Sequence, residues 1–379
     1  MKVIQVLPNL EGGGVEKGTL EIAQALVQAG HESIVISAGG RMVSQLNQEG
    51  SQHIEWDLGK KSLFTFRHIW AVRRWLRQER PDILHLRSRM PAWIMWLAWR
   101  GLPENERPHI VTTVHGLYSV SKYSAIMCKG ERVIAVSETV QNYIQNNYPA
   151  INSSRIERIY RGVDPAELPH GYQVPTEWLT QWQQDFPQLN NKKILTLPGR
   201  LTRLKGHHDF IDLIIKLKQS GQAIHGLIVG GDDPKRQQYA TELRQRIITE
   251  DLSDVITFTG NRTDIREIFA TSDIVLSLST KPESFGRTVL EALSLGTPVI
   301  GYDHGGVGEI LSSLYSNGCI PVSASTDYLV EKVSTIFSRP SKIVSPHPFT
   351  LDNMCQQTLT LYTYLIDDKA CSSTPANAS

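Results

Sequence analysis

Cysteine is scarce and scattered. Cys128, Cys319, Cys355 and Cys371 are the only four in 379 residues, and no two form a C-x-x-C pair. That spacing speaks against a zinc site and a disulfide framework, and it fits a reducing, cytoplasmic setting. Net charge is almost absent: 39 Lys and Arg against 38 Asp and Glu leave +1. No global field therefore draws the chain to nucleic acid or to an acidic partner. Long apolar runs are missing as well. The most apolar stretch, AWIMWLAW at 92–99, is far below the roughly 20 residues that span a bilayer, so an integral membrane protein is not expected. The opening MKVIQVLPNLEGGG has neither the apolar core nor the small-residue cleavage site of a signal peptide, and it reads instead as a first strand.

What the chain does have is alternation. Short β-branched runs (VIQVLP, SIVISA, HIEW, DILHL, HIVTTV, RVIAVS, RIERIY) are separated by longer stretches of helical spacing that end at glycine, such as KGTLEIAQALVQAG. This predicts an α/β domain over residues 1–165 with a parallel sheet covered on both faces. Residues 166–191 are rich in Pro, Gln and Asn with no clear strand, and are expected to form a linker with a short irregular helical piece. Alternation restarts with KILTLPGR, HGLIVGG, VITFTG, DIVLSLS and TPVIGY, predicting a second α/β domain over 192–346. A final helix is expected over about 347–366, packing back near the first domain, with a disordered tail at 367–379. Two doubly wound domains in tandem would present the carboxyl ends of their strands to a shared cleft.

Three loops carry chemistry. EGGGVEKG at 11–18 follows the first strand and opens a helix. It is neither G-x-G-x-x-G nor a Walker loop, yet glycines and free helix-start N–H groups still suit an anion. The alternative is a tight turn that simply needs glycine. LPGRLTRLKGHHDF at 197–210 sets Arg200 and Lys205 across a strand-to-helix turn, where a fork and a point charge suit a diphosphate. Solvated surface charge is the alternative there. In KPESFGRTVLEALSLGTPVIGYDHGGVGEI at 281–310, a helix beginning near Gly286 would leave the amides of Ser284 to Thr288 unpaired at its positive end. Glu283 would precede the turn, within reach of sugar hydroxyls. Glu291 would lie between one and two turns further on, within reach of a ribose. A capping acid followed by an exposed helix acid would give the same spacing.

Together with GGGVEK (12–17), TVHG (113–116), AVSE (135–138), GRLTRLKG (199–206) and TGNRTDI (259–265), the stretch PESFGRTVLEALSLGTPVI (282–300) running into GGVGEI (305–310) resembles the family-four retaining glycosyltransferases of GT-B architecture. The matches occur in order over most of the chain. The resemblance implies two Rossmann-like domains and transfer of a sugar from a nucleotide diphosphate, with uridine the expected base. It implies that Gly13 and Gly14 contact the donor phosphates or sugar, and that Arg200 and Lys205 neutralise the diphosphate. The backbone near Arg262 would hold the base, and Glu291 the ribose. Glu283 would contact the transferred sugar, with Ser284, Phe285, Gly286, Arg287 and Thr288 lending main-chain amides. His115 resembles the family's active-site histidine, which places His115, Glu283, Arg200 and Lys205 in the catalytic group. No cofactor is expected. No metal is expected either, because the chain has no D-x-D. Two departures stand out. Arg161 precedes Gly-Val-Asp where the family commonly has Asn, and Arg287 follows Phe-Gly where a smaller residue is usual.

The acceptor is less clearly written. Residues 58–101 hold about ten Lys and Arg against two acids. Lys60, Lys61, Arg67, Arg73, Arg74, Arg77 and Arg80 are interleaved with Phe64, Phe66, Trp70 and Trp75, and Trp93, Trp96 and Trp99 follow. Basic residues mixed with aromatics suit an anionic membrane face. Equally, an amphipathic helix could bury its tryptophans and solvate its arginines. Arg87 and Arg89, in HLRSRMPAW after a strand, are expected to bind an acidic or phosphorylated acceptor. That segment resembles bacterial lipopolysaccharide-core and related envelope glycosyltransferases. The leading expectation is thus a hexosyltransferase peripheral on the cytoplasmic face of the inner membrane, acting on a glycolipid or oligosaccharide. A soluble sugar-phosphate acceptor, or a non-catalytic nucleotide-sugar-binding scaffold, are the competing readings.

Overall fold

The computed structural model describes residues 1–232 and 237–372. The described residues divide into two compact units, residues 1–162 with 351–372, and residues between 163 and 350. Unit 1 holds seven strands: β1 (Lys2–Val6), β2 (Glu32–Ser37), β3 (Gln52–Glu55), β4 (Ile83–Leu86), β5 (His109–Val114), β6 (Arg132–Ala135) and β7 (Ile156–Arg158). They form one sheet in the order β3-β2-β1-β4-β5-β6-β7, and every pairing is parallel. Unit 2 holds β8 (Lys193–Pro198), β9 (Ile224–Val229), β10 (Ile256–Gly260), β11 (Ile274–Ser277), β12 (Val299–Tyr302) and β13 (Cys319–Ile320). Their order is β10-β9-β8-β11-β12-β13, again all parallel. The two orders are the same doubly wound pattern, which reverses direction beside the first strand of each sheet. In such sheets ligands bind at that reversal, off the carboxyl ends of the strands. These are the two doubly wound α/β domains expected from the alternation, and together the GT-B type of fold that the family resemblance implies.

Period-two patterning builds the core. In β1, Ile4 and Val6 join the cluster on one face, while Val3 joins the cluster on the other. The first face is covered by the helices His68–Glu79, Arg89–Arg100 and Glu138–Asn147, which contribute Val72, Leu76, Ile94, Ala98, Val140 and Ile144. The second is covered by the helix Gly14–Gln28 and by the last helix, Leu351–Ser372, through Ile22, Leu26, Met354, Tyr362 and Leu365.

Three differences from the sequence reading have physical causes. Residues 166–191 are part of unit 2, because Trp178, Trp182 and Phe186 recur every fourth residue, and the helix Thr176–Asp185 lays that stripe against Leu227, Val229 and Ile268. The last helix runs to Ser372, past the expected start of a tail at Asp367; positions 373–379 of that tail lie outside the described residues. Strand β13, only two residues long, was not expected at all. Cys128, Cys319 and Cys355 are free thiols, and burial pushes the first two up to about 11 and the third to about 12.

Candidate active site

In unit 2 the reversal point lies between β8 and β11, and the two loops that leave those strands are sewn together. The loop after β8 ends at Gly206, whose φ of 71° starts the helix His207–Gln219. A Cβ at Gly206 would stand 2.0 Å from the Leu278 carbonyl oxygen, so only glycine lets the two backbones meet. The Thr280 N–H donates to the Leu204 carbonyl at 2.9 Å. This approach delivers Lys205 to Glu283, with Nζ 2.6 Å from Oε1. The Ser279 hydroxyl donates to the same carboxylate oxygen, and His304 Nε2 donates to the Ser279 carbonyl at 2.8 Å. Burial works to raise the Glu283 pKa, but the Lys205 charge and hydrogen bond, the Ser279 hydroxyl and His304 outweigh it and hold the carboxyl below its usual range.

The helix Arg287–Leu295 begins right after Gly286, at φ 97°, and has no side-chain cap. Within its first turn the Val289 and Leu290 N–H groups both reach the Gly286 carbonyl, at 3.1 and 3.2 Å. Phe285 is buried and meets Phe349 edge to face at 6.2 Å, which pins the turn. The GGVGEI segment supports the turn from behind. The Gly306 N–H donates to the Glu283 carbonyl at 2.8 Å, and a Cβ there would lie 2.3 Å from Phe285 Cα. Along the helix, Arg287 Nε bonds Glu291 Oε1 at 3.1 Å, one turn apart. Ser284 and Thr288 flank this start, half-buried. Arg200 is exposed and makes no ion pair with a described residue. Arg262 forks onto Asp264 at 2.8 and 2.6 Å and lies over the Trp182 ring, while the Trp178 indole N–H donates to the same carboxylate. Its guanidinium therefore fastens the 261–264 loop to the Thr176–Asp185 helix.

Unit 1 repeats the geometry. The loop after β1 ends at Gly13, which precedes the helix Gly14–Gln28 without a side-chain cap. A Cβ at Gly14 would meet nothing within 4 Å, but one at Gly13 would lie 2.6 Å from the Glu16 carboxylate and one at Gly12 2.3 Å from Arg41 Nη2, so an acid and a base already lie against this helix start. His115 follows β5. Arg161, itself buried, donates from Nη2 to His115 Nδ1, and His115 Nε2 has no hydrogen-bond partner. Burial, and then Arg161, Arg87 and His85, hold the His115 pKa well below 6.5.

The structure corrects the expectation for Arg87. Only 2 % of it is exposed; Nη1 bonds Gln5 Oε1 and Nη2 bonds the Gly18 carbonyl at 3.1 Å. It rivets β4 to the first strand and helix, and cannot grip an acceptor. Arg89 remains half-buried at a helix start, bonded to Ser124 Oγ and lying over the Tyr118 and Tyr123 rings. Trp93, Trp96 and Trp99 are half-buried against the core, with Trp93 and Trp99 donating to the Tyr123 and Pro108 carbonyls and the Trp96 ring lying 4.8 Å from both Arg100 and Lys129. In AVSE, Ser137 caps the next helix by accepting from the Val140 N–H. Ser279, His304 and the Arg161–His115 bond carried no spacing signal that would have found them. Among the described residues no group of three His, Cys, Asp or Glu side chains is arranged to hold a metal ion.

Comparison with known proteins agrees with this geometry. The model of Glycosyltransferase Family 4 matches residues 12–167, and that of Glycosyl transferases group 1 matches residues 180–345. The chain is 27% identical over 323 residues to the N-acetyl-alpha-D-glucosaminyl L-malate synthase of Bacillus anthracis, covering 81% of this chain and 80% of that protein. A glycosyltransferase from Rickettsia africae superposes with a TM-score of 0.83 at 28% identity over 96% of this chain and 98% of that one. Anabaena HepE, solved with UDP and glucose, gives 0.80 at 20% identity over 96% of this chain and 100% of that one. With both domains matched in order, the chain is a glycosyltransferase of family four, built for nucleotide-sugar transfer.

Proposed function

We propose that the protein is a retaining, metal-independent transferase that moves a sugar from a uridine diphosphate donor to an envelope glycolipid, of the lipopolysaccharide-core kind, at an anionic membrane face. The observation that carries the donor half is the Lys205–Glu283 pair set against the uncapped helix start at Gly286, with exposed Arg200 on the adjoining loop. As the anomeric carbon–oxygen bond breaks, negative charge grows on the departing diphosphate. Lys205, Arg200 and the amides of Phe285 to Thr288 stabilise that charge once Lys205 has exchanged Glu283 for the diphosphate. Glu283 positions the sugar through its hydroxyls, Glu291 the ribose, and the backbone near Arg262 the base. The acceptor oxygen bonds the anomeric carbon on the face the leaving group vacates, and its proton passes to the leaving phosphate oxygen. The uridine assignment is supported by the UDP held in HepE.

The acceptor half rests on a patch of unit 1. Leu63, Phe64 and Trp70 are 87, 80 and 73% exposed. Arg73 lies over one face of Trp70, 4.8 Å from the ring centroid, and Lys61, Arg67 and Arg74 are exposed nearby without an ion pair to a described residue. Apolar tips among unpaired cations suit anionic headgroups. The malate synthase relative favours a second reading, a small soluble acceptor bearing a carboxylate. The test has two arms. UDP and UDP-sugars should raise the melting temperature by mass action, and UDP-sugar should be hydrolysed slowly without acceptor. The protein should also float with vesicles containing phosphatidylglycerol. No stabilisation by any uridine nucleotide refutes the donor assignment; stabilisation without flotation moves the acceptor to the soluble class.

A further inference from the structure

Arg161 is one of the two departures from the resembled family's pattern, and its place in unit 1 gives that departure a chemical consequence. Arg161 Nη2 bonds His115 Nδ1. A guanidinium offers five N–H donors and no acceptor, and it does not deprotonate in proteins. The Nδ1 of His115 must therefore be the acceptor, with its lone pair facing Arg161. The ring proton is then on Nε2, which is enclosed and has no partner. A buried N–H left unpaired is costly, so the atom is oriented for an oxygen that the protein itself does not supply.

We propose that Arg161 is a positioning residue that fixes His115 as the Nε2–H tautomer, making it a hydrogen-bond donor to an oxygen of a substrate held at unit 1 and denying it any role as a base. This rests on the glycosyltransferase reading above for the class of substrate. The tautomer itself rests only on the Arg161 contact. The surroundings agree. Arg87, His85 and Arg161 all face the ring and disfavour its protonation, and the Tyr118 hydroxyl accepts the His115 backbone N–H at 3.2 Å, fixing the segment that carries the ring. His85 is itself occupied on both nitrogens, by Tyr362 and Thr113, so it cannot exchange a proton with His115. Gly18 makes the contact possible: a Cβ there would lie 2.4 Å from Arg161 Nη1. The glycine of GGGVEKG at position 18 thus serves the arginine rather than the ligand.

The test is a long-range proton–nitrogen NMR spectrum of the full-length protein carrying ¹⁵N-histidine, with His115 assigned by loss of its signal in His115→Gln. Without donor, His115 should show a pyrrole-type Nε2 and a pyridine-type Nδ1 across the folded pH range. An Nδ1–H pattern, or a ring that titrates near 6.5, overturns the proposal. Because this spectrum is read without nucleotide, it stands apart from whether the donor assignment is right. Arg161→Met should lower kcat about tenfold, the worth of one hydrogen bond, with little change in the KM for donor. Protonation of the freed ring restores a proton to Nε2, so the activity of Arg161→Met relative to wild type should rise as pH falls. Arg161→Lys, which also can only donate, should recover most of the loss. A ratio that is flat with pH, together with no rescue by lysine, would mean that Arg161 serves only the packing of unit 1.

Discussion

Replacing Lys205 by Ala, and separately Glu283 by Gln, should move UDP affinity in opposite directions. In the free protein Lys205 is held by Glu283 at 2.6 Å, with the two side chains 31 and 24% exposed. Exposed pairs are worth about 0–1 kcal/mol, and removing one partner of a buried pair costs about 3–5 kcal/mol. This pair lies between those cases, and Glu283 keeps the Ser279 hydroxyl, so Lys205→Ala should destabilise unit 2 by about 1–2 kcal/mol. Loss of a charged hydrogen bond to phosphate costs about 1.5–3 kcal/mol, so UDP should bind roughly 10- to 150-fold more weakly. Glu283→Gln instead releases Lys205 from its competitor; UDP should bind at least as tightly as to wild type, while turnover of the sugar nucleotide collapses. Isothermal titration with UDP reads both. Equal UDP affinity in Lys205→Ala and wild type, or a loss in Glu283→Gln as large as in Lys205→Ala, would refute the assignment. The pair also sets a pH signature. Because the folded pKa of Glu283 lies below its ordinary value, its contribution is fully present above the unfolded value of about 4.3 and is lost as pH falls through the lower folded value. Lys205→Ala should therefore lose less stability than wild type on acidification below about pH 4.3.

Three further outcomes follow from the geometry. Arg87→Met should destabilise unit 1 by about 1–3 kcal/mol in urea titration, because the Gln5 amide oxygen and the Gly18 carbonyl lose their donor in a dry core; it should leave the KM for acceptor unchanged in the fraction that folds. Gly306→Ala places a methyl 2.3 Å from Phe285 Cα, backbone that cannot swing aside, and should cost about 1–3 kcal/mol or more while displacing the Gly286 turn; donor binding and the unit 2 melting transition should fall together. Leu63→Ser, Phe64→Ser and Trp70→Ser combined should abolish vesicle flotation without altering donor hydrolysis, because none of these side chains contributes to the core; retained flotation would remove the patch from the membrane proposal.

Apart from β13, the strands of both sheets were legible because each is a short β-branched or apolar run bounded by glycine or charge, and the parallel order follows from the intervening helices. The Thr176–Asp185 helix was hidden by its Gln-rich exterior, although Trp178, Trp182 and Phe186 spell out one apolar stripe. Arg87 was misplaced for a different reason. A residue just past a strand end can turn outward to solvent or back along the sheet, and the sequence near Arg87 does not decide which. The decision lies with Gln5, 82 positions away, whose buried amide oxygen takes the guanidinium. Arg161 was noticed as a departure, yet its effect on His115 depends on a contact across 46 positions. Local spacing identifies which residues have chemistry; it does not identify which of them the fold consumes.

That distinction matters most in the donor loops themselves. Of the charged groups singled out there, Lys205 is paired with Glu283, Arg287 with Glu291, and Arg262 with Asp264. The fold thus largely neutralises its own site before any ligand arrives. This keeps half-buried cations and carboxylates from standing uncompensated, which would be expensive at this depth. On the proposed donor site a diphosphate would not meet a ready-made positive cradle: it would have to exchange with Glu283 for Lys205, while exposed Arg200 supplies the attraction that is free at the outset. A carboxylate displaced from its lysine becomes a better acceptor for a sugar hydroxyl, so phosphate arrival at Lys205 and sugar capture by Glu283 reinforce one another. A bare phosphate or a bare sugar gains only half of that exchange. The intact sugar nucleotide should therefore bind more tightly than the separate affinities of UDP and free sugar would give, and that surplus should vanish in Lys205→Ala and Glu283→Gln alike.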